Sequence, residues 1–184
     1  MKNTQEVNYK MYHISIYFDE ITELRLGQIM KSVAVKTGNT FMTDNNVPPH
    51  ITVSAINIDD EQLDEIVEAM DREIITMKSG EVYFATVGQF MPKVIYVAPV
   101  LNQYLHNMAE CVYETVNLEG VSVSKYYRPF QWMPHVTIAK TLEKEQMKKA
   151  FDEMQNTWGA FSGKVTKIGL AKTNPYREIK LWQF

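Results

Sequence analysis

Apolar residues along the chain follow two spacings, one typical of strands and one typical of helices. Alternation at every second residue predicts strands in "HISIYF" (13–18) and "VIYVAPV" (94–100). Apolar residues three and four positions apart then predict helices over about residues 20–36 and 102–117. The predicted core faces contain Leu24, Ile29 and Val33 in the first helix and Leu105, Met108, Val112 and Val116 in the second.

A second pair of segments repeats this order. The strand patterns "ITVSAINI" (51–58) and "VTIAKT" (136–141) each lead into an amphipathic helix that contains Glu-Gln near its start. Further strands are predicted from Ser79 and from Ser162. The apolar helix faces consist of Leu63, Ile66, Val67 and Met70 in one copy and Met147, Ala150, Phe151 and Met154 in the other.

These matching patterns indicate an internal duplication. His50 and His135 are 85 residues apart, and Ser79 and Ser162 are 83 apart. Each half has the order strand, helix, loop, strand, helix, strand, over about residues 12–90 and 91–184. The sequence therefore predicts one α+β domain spanning 1–184, bilobal and pseudo-twofold, with antiparallel sheets that line a central cleft.

Proline, histidine, a β-branched aliphatic residue and threonine occur in this order twice, as "PHIT" (49–52) and "PHVT" (134–137). Side chains alternate across a strand, so His50 and Thr52 face one side, as do His135 and Thr137 in their own strand. Packing about a pseudo-twofold axis would bring both pairs to the same cleft.

The residue types in these motifs suit acid–base catalysis at a phosphodiester. Histidine titrates near pH ~6.5, so one neutral imidazole can accept a proton from an attacking oxygen while a protonated one protonates the leaving oxygen. Threonine hydroxyls can donate hydrogen bonds to non-bridging phosphate oxygens.

The paired motifs resemble those of the two-histidine (2H) phosphoesterase superfamily, which includes 2′,5′ RNA ligase-like proteins and cyclic phosphodiesterases. The resemblance implies that His50 and His135 are catalytic, that Thr52 and Thr137 bind phosphate, and that no metal or other cofactor takes part. It implies a nucleotide or RNA 3′-end substrate with a cyclic 2′,3′-type or 2′-linked phosphodiester. Ligation in the reverse direction and a non-catalytic module that binds a nucleotide or RNA end remain alternatives.

The loop at residues 119–134 precedes the second motif and is expected to border the cleft. Aromatic rings can stack on a base and a guanidinium can bind phosphate, so Arg128, Trp132 and Tyr127 are candidate substrate-binding residues. The alternative is that these aromatic side chains fill a small hydrophobic core under the loop.

The remaining histidines and the C-terminal segment favour structural interpretations. His13 lacks the preceding proline and has no histidine counterpart in the second half, so a structural role in its strand is favoured. His106 is expected on a partly exposed helix face. The C-terminus predicts a hairpin around Asn174 and Pro175, with solvent-facing residues at 176–177.

The charge composition limits the classes of ligand that the chain is expected to bind. The net charge is −3 and no run of basic residues occurs, which disfavours extended duplex nucleic acid but allows a small phosphorylated ligand or one nucleic-acid end.

No stretch has the ~20 uncharged apolar residues of a membrane span. One cysteine and no apparent signal segment predict a cytoplasmic protein, expected to be a monomer. A zinc site would need three or four ligands that the motifs do not supply.

Overall fold

The computed structural model describes residues 10–173 and 176–184. Within them the chain is α+β, as the sequence predicts, with one antiparallel sheet of eight strands. The strands are β1 (Lys10–Phe18), β2 (Ile51–Ile58), β3 (Gly80–Phe90), β4 (Val94–Pro99), β5 (Ser122–Val123), β6 (Val136–Ala139), β7 (Phe161–Thr173) and β8 (Tyr176–Gln183). The helices are α1 (Glu20–Thr37), α2 (Phe41–Asp44), α3 (Gln62–Ile74), α4 (Gln103–Val116) and α5 (Lys144–Thr157), with one 3₁₀ turn, Lys125–Tyr127.

The first long helix is confirmed, but one of its predicted core residues is wrong. Asp19 caps α1 by accepting a hydrogen bond from the Thr22 N–H at 2.9 Å. The buried stripe includes Leu26, Ile29 and Val33, whereas Leu24 is 64% exposed. Leu24 is two residues from Leu26, which is a rotation of about 200° around the helix, so the side chain faces solvent.

The other predicted helices have their apolar faces where the patterns place them. Leu105, Met108, Val112 and Val116 of α4 are all buried. Most of the predicted stripe residues of α3 and α5 are buried, and the half-buried ones, Leu63, Val67 and Phe151, pack against the same core. Burial of these stripes covers one face of the sheet and leaves the other face free for polar side chains.

The sheet order shows that the two sequence halves exchange their third strands. The order is β5-β2-β1-β7-β3-β4-β6, with β8 also paired to β7. β1 and β2 of the first half pair with β7 of the second, and β4 and β6 of the second half pair with β3 of the first. Each lobe is therefore built from both halves, so 12–90 and 91–184 are repeats in sequence but are interleaved in space.

The helices follow the same exchange. α1 packs against α5 and β6, and α4 packs against α3 and β2. Each strand that follows a histidine is thus supported by the first helix of the opposite half. This arrangement makes the position of each motif depend on the folding of the whole chain.

A matching irregularity follows each motif. The β1–β2 register pairs Ser15 with Thr52 and then Ile14 with Ser54, so it passes over Val53. The β4–β6 register likewise pairs Thr137 with Tyr96 and then passes over Ile138. A β-bulge at the same place in both copies supports the duplication, and it reverses the face of every later residue.

The C-terminal strands are also paired as predicted. β7 and β8 run antiparallel, from Lys167 opposite Gln183 to Thr173 opposite Tyr176. The predicted turn at Asn174 and Pro175 lies outside the described residues. None of the helices in the described part of the chain has the length and apolarity needed to cross a membrane.

We predict that Gly163→Ala destabilises the fold by about 1–3 kcal/mol. A Cβ at this β7 position would lie 2.6 Å from the Thr22 side chain of α1 and 3.1 Å from Phe84 of β3. Urea unfolding measures the change in the free energy of unfolding.

The matched control is Gly27→Ala in the interior of α1, where an added Cβ meets nothing within 4 Å. This substitution should stabilise the protein by about 0.5–1 kcal/mol because alanine loses less backbone entropy in a helix. Equal effects of the two substitutions would contradict the close approach of α1 to β7.

Candidate active site

One cavity of about 550 Å³ brings both histidine–threonine pairs together. Its volume is within the usual range for small-molecule sites. The lining side chains come from both lobes and from the loop before β2: His13, Ser15, Tyr17, Phe41, Met42, Asn45, Val47, Pro48, His50, Thr52, Tyr127, His135, Thr137, Lys140, Ala171, Thr173 and Tyr176.

The two motif histidines are oriented by the same local hydrogen bond. Nδ1 of His50 donates to the Pro48 carbonyl at 2.8 Å, and Nδ1 of His135 donates to the Met133 carbonyl at 2.9 Å. The intervening proline restricts its own φ and the residue before it, which favours a chain path that presents this carbonyl to the ring. A carbonyl only accepts, so Nδ1 carries the proton and Nε2 of each neutral ring is left available in the cavity.

The Thr52 side of the cavity is held by three neighbours. The Ser15 hydroxyl donates to Thr52 Oγ1 at 3.4 Å. The Trp132 indole N–H donates to the Thr52 carbonyl at 2.8 Å, and Tyr127 of the 3₁₀ turn lines the cavity near Thr52. These contacts tie the loop before the second motif to the strand of the first, which fixes the distance between the half-sites.

Aromatic rings lie around the two half-buried imidazoles. The Tyr17 ring lies 6.1 Å from that of His50, and Phe90 and Tyr96 lie 4.8 and 5.5 Å from that of His135. Burial lowers the pKa of both histidines below the usual 6.5. The pKa of His50 is lowered further by the positive forms of His135 and Lys140.

The described cavity lining includes one lysine and no carboxylate, although the whole chain carries −3. Within the described residues it has three histidines and Lys140, with no aspartate or glutamate. Lys140 stacks over the Phe41 ring, with Nζ 4.6 Å from the ring centroid. Simple alternation from Thr137 would send this lysine to the other face; the bulge at Ile138 brings it to the cavity. The lining therefore suits an anionic ligand.

Of the predicted loop residues, the structure brings only Tyr127 to the cavity. Arg128 is exposed and does not line it. Trp132 is 8% exposed and its polar atom is engaged with Thr52, so the ring packs in the core as the alternative interpretation of the loop described.

Two cavity residues were interpreted differently from sequence. The sequence favours a structural role for His13 and a solvent-facing position for Tyr176. In the structure both line the cavity, and Tyr176 is 54% exposed. The alternation in β1 already places His13 on the same face as Ser15, and the Ser15–Thr52 pairing was the missing information. Tyr176 reaches the cavity only because β8 folds back on β7.

No group of three or more histidine, cysteine, aspartate or glutamate side chains within residues 10–173 and 176–184 is arranged to hold a metal ion. His106, the fourth histidine, lies on α4, where Nε2 is 3.9 Å from Glu110. It has no part in the cavity.

Comparisons with known proteins agree on one family. A sequence model of the 2'-5' RNA ligase superfamily matches residues 18–177. No curated protein sequence matches significantly.

Three solved structures are similar in fold. E. coli LigT complexed with 3'-AMP has a TM-score of 0.62 at 13% identity, covering 96% of this chain and 98% of that one. A structure described only as a phosphoesterase has a TM-score of 0.65 at 14% identity, with the same coverage. The MHV ns2 PDE domain has a TM-score of 0.56 at 13% identity, covering 95% and 99%.

We predict that Trp132→Phe lowers the free energy of unfolding by about 1–3 kcal/mol, because the Thr52 carbonyl loses its buried donor. Urea unfolding measures the loss. Trp158→Phe is the control, since that indole N–H makes no hydrogen bond among the described residues. An equal loss of unfolding free energy in both variants would contradict a stabilising hydrogen bond from Trp132 to Thr52.

Proposed function

The chain belongs to the 2'-5' RNA ligase superfamily, and from this premise we propose that it is a metal-independent phosphoesterase. Its proposed substrate is a nucleotide or RNA 3′ end with a cyclic 2′,3′-type or 2′-linked phosphodiester. The observation that carries the proposal is the pair of equivalent histidines, one from each lobe, each with Nδ1 engaged and Nε2 free in one cavity.

His50 and His135 divide the two proton transfers of the reaction. The neutral imidazole removes a proton from water as the water oxygen attacks phosphorus. The protonated imidazole gives its proton to the ribose oxygen as the bond between that oxygen and phosphorus breaks. A histidine from each lobe suits this in-line geometry, because attacking and leaving oxygens are on opposite sides of the phosphorus.

Thr52, Thr137 and Lys140 act on the phosphate itself. The two hydroxyls donate hydrogen bonds to non-bridging oxygens, and the ammonium group of Lys140 offsets their negative charge. Lys140 makes no ion pair with a described carboxylate, so its charge is available to a ligand. The absence of acidic side chains from the described lining avoids repulsion of the substrate.

The substrate is proposed to be a small nucleotide or a single RNA end. A cavity of about 550 Å³ admits only a few substrate groups, and the net charge of −3 gives no attraction for a long strand. The structural neighbour LigT was crystallised with 3'-AMP, a nucleotide with the kind of phosphate that such hydrolysis leaves.

We predict that His50→Ala and His135→Ala each reduce kcat at least ~10²-fold, because each removes one proton-transfer group. Turnover of 2′,3′-cyclic nucleotides and 2′,5′-linked dinucleotides, followed by chromatography with EDTA present, tests this.

His106→Ala is the matched control and should keep wild-type turnover, since this ring lies outside the cavity. Near wild-type rates for His135→Ala would refute the catalytic assignment. Loss of wild-type activity in EDTA would refute metal independence.

We also predict that kcat/KM is greatest below pH 6.5. This parameter reports the free enzyme, in which one histidine must be protonated and the other neutral, and burial lowers both pKa values below 6.5. His13 faces the same cavity with a pKa lowered to about 4, and burial raises the pKa of Tyr17 and Tyr127, so these groups do not add a limb near neutrality.

The pH–rate profile of Lys140→Gln provides the internal check. Removing this positive charge should raise the pKa of His50 and move one limb of the profile to higher pH. An optimum above pH 7 in the wild type would contradict the prediction.

A further inference from the structure

The cavity extends beyond the two motifs along β1, β7 and β8, and also along the segment from α2 to β2, which contributes Phe41, Met42, Asn45, Val47 and Pro48. The lobe that contains β4 and β6 (the second lobe) contributes His135, Thr137 and Lys140. The lobe that contains β1 and β2 (the first lobe) supplies three β1 side chains, His13, Ser15 and Tyr17, beside His50 and Thr52. β7 and β8 continue this wall with Ala171, Thr173 and Tyr176. On the His50 side, the space beside the phosphate site is therefore bounded by strands β1, β7 and β8.

His13 lies at the centre of this wall without a structural partner. Its neighbours across the sheet are Ala55 on β2 and Ala171 on β7, the smallest side chains that still carry a Cβ. Its ring makes no hydrogen bond within the described residues, whereas His50 and His135 each bond a carbonyl and His106 approaches Glu110. The imidazole thus has polar atoms without a described hydrogen-bond partner, and it faces the cavity together with Ala171.

The charge state of His13 differs from that of a catalytic acid. Burial, followed by the positive forms of His50 and Lys140, lowers its pKa to about 4. At neutral pH the ring is uncharged, with one nitrogen that donates a hydrogen bond and one that accepts. Such a group can bind a hydroxyl or the polar edge of a base, but it adds no charge for a phosphate.

The second lobe has no equivalent of this group. Ser15 pairs with Thr52 in the first copy, and Tyr96 pairs with Thr137 in the second, so Ser15 and Tyr96 are equivalent positions. The residue two positions before Ser15 is His13, and the residue two positions before Tyr96 is Val94. An apolar side chain in one lobe and an imidazole in the other make the two sides of the phosphate site chemically different.

We propose that His13, Ala171, Thr173 and Tyr176 form a nucleoside subsite on the His50 side of the cavity. In it, neutral His13 exchanges hydrogen bonds with the ribose or base of the nucleotide whose phosphate lies between the motifs. The Thr173 hydroxyl donates to the Met11 carbonyl at 3.2 Å, which leaves its oxygen able to accept from the ligand. This inference rests on the proposed function and names the part of the substrate that the first lobe selects.

Titration calorimetry with inorganic phosphate, 3′-AMP and 3′-UMP separates the nucleoside subsite from the phosphate site. His13→Ala should weaken binding of the nucleotides about tenfold, the effect of one or two lost hydrogen bonds, and change phosphate binding less than twofold. His13→Asn, which keeps a donor and an acceptor, should restore most of the affinity. Equal losses for the two nucleotides assign the contact to ribose, and unequal losses assign it to the base.

A steric variant tests the same space independently of polarity. Ala171→Val puts two methyl groups beside His13 on a strand that favours β-branched residues. It should weaken nucleotide binding and spare phosphate binding. His106→Ala, on α4, should change neither.

Kinetics give the third readout. His13→Ala should raise KM for 2′,3′-cyclic nucleotides about tenfold, change kcat less than threefold, and leave both limbs of the pH–rate profile in place. A moved limb would make His13 an acid–base group, and parallel losses for phosphate and nucleotides would make it part of the phosphate site. Either result, or unchanged nucleotide binding, overturns the subsite.

The failure of this inference can be told apart from failure of the proposed function. Wild-type turnover that depends on His50 but is unaffected by His13→Ala or Ala171→Val refutes the subsite alone. A wild-type protein that neither cleaves nor binds any nucleotide refutes both.

Discussion

Antiparallel pairing between β3 and β7 joins the two lobes and fixes their separation. The pairing runs from Gly80 opposite Val165 to Phe84 opposite Phe161. The rings of Phe84 and Phe161 stack with their centroids 5.0 Å apart. Each of these strands continues into the other half's sheet, so the joint holds β1 and β2 on one side and β4 and β6 on the other. Both histidine motifs depend on this joint, because neither half completes a sheet with its own third strand.

The duplication supplies two equivalent histidine–threonine motifs, and the side chains next to the two motifs differ. The proline-histidine turn and the bulge after threonine occur in both copies, so each imidazole enters the cavity with Nδ1 bonded to its own backbone. The differences lie beside the motifs. Lys140 occupies the place of Ala55, and His13 that of Val94. Such asymmetry would suit a reaction whose attacking and leaving groups differ.

Burial and charge act together on the imidazoles. Aromatic neighbours exclude water and lower the pKa of both motif histidines, and Lys140 adds to this at His50. An anionic phosphodiester would offset these effects, since an opposite charge favours the protonated imidazole. Binding of the substrate would therefore help to supply the proton that the leaving oxygen needs, within a cavity whose described lining has no carboxylate.

Local pattern determined the four long helices, the strands apart from β5, and the faces of the two motifs, because periodicity and proline act over a few residues. It also led to the family that the comparisons support. Only the tertiary structure decided the strand exchange and which other side chains reach the cavity. The bulge in β6 turns Lys140 toward the cavity, and the pairing of β1 with β2 and β7 places His13 in the cavity wall. Trp132 packs in the core, where its indole N–H donates to the carbonyl of Thr52, 80 residues away in sequence. These outcomes depend on contacts between distant segments, which the periodicity of either segment alone does not contain.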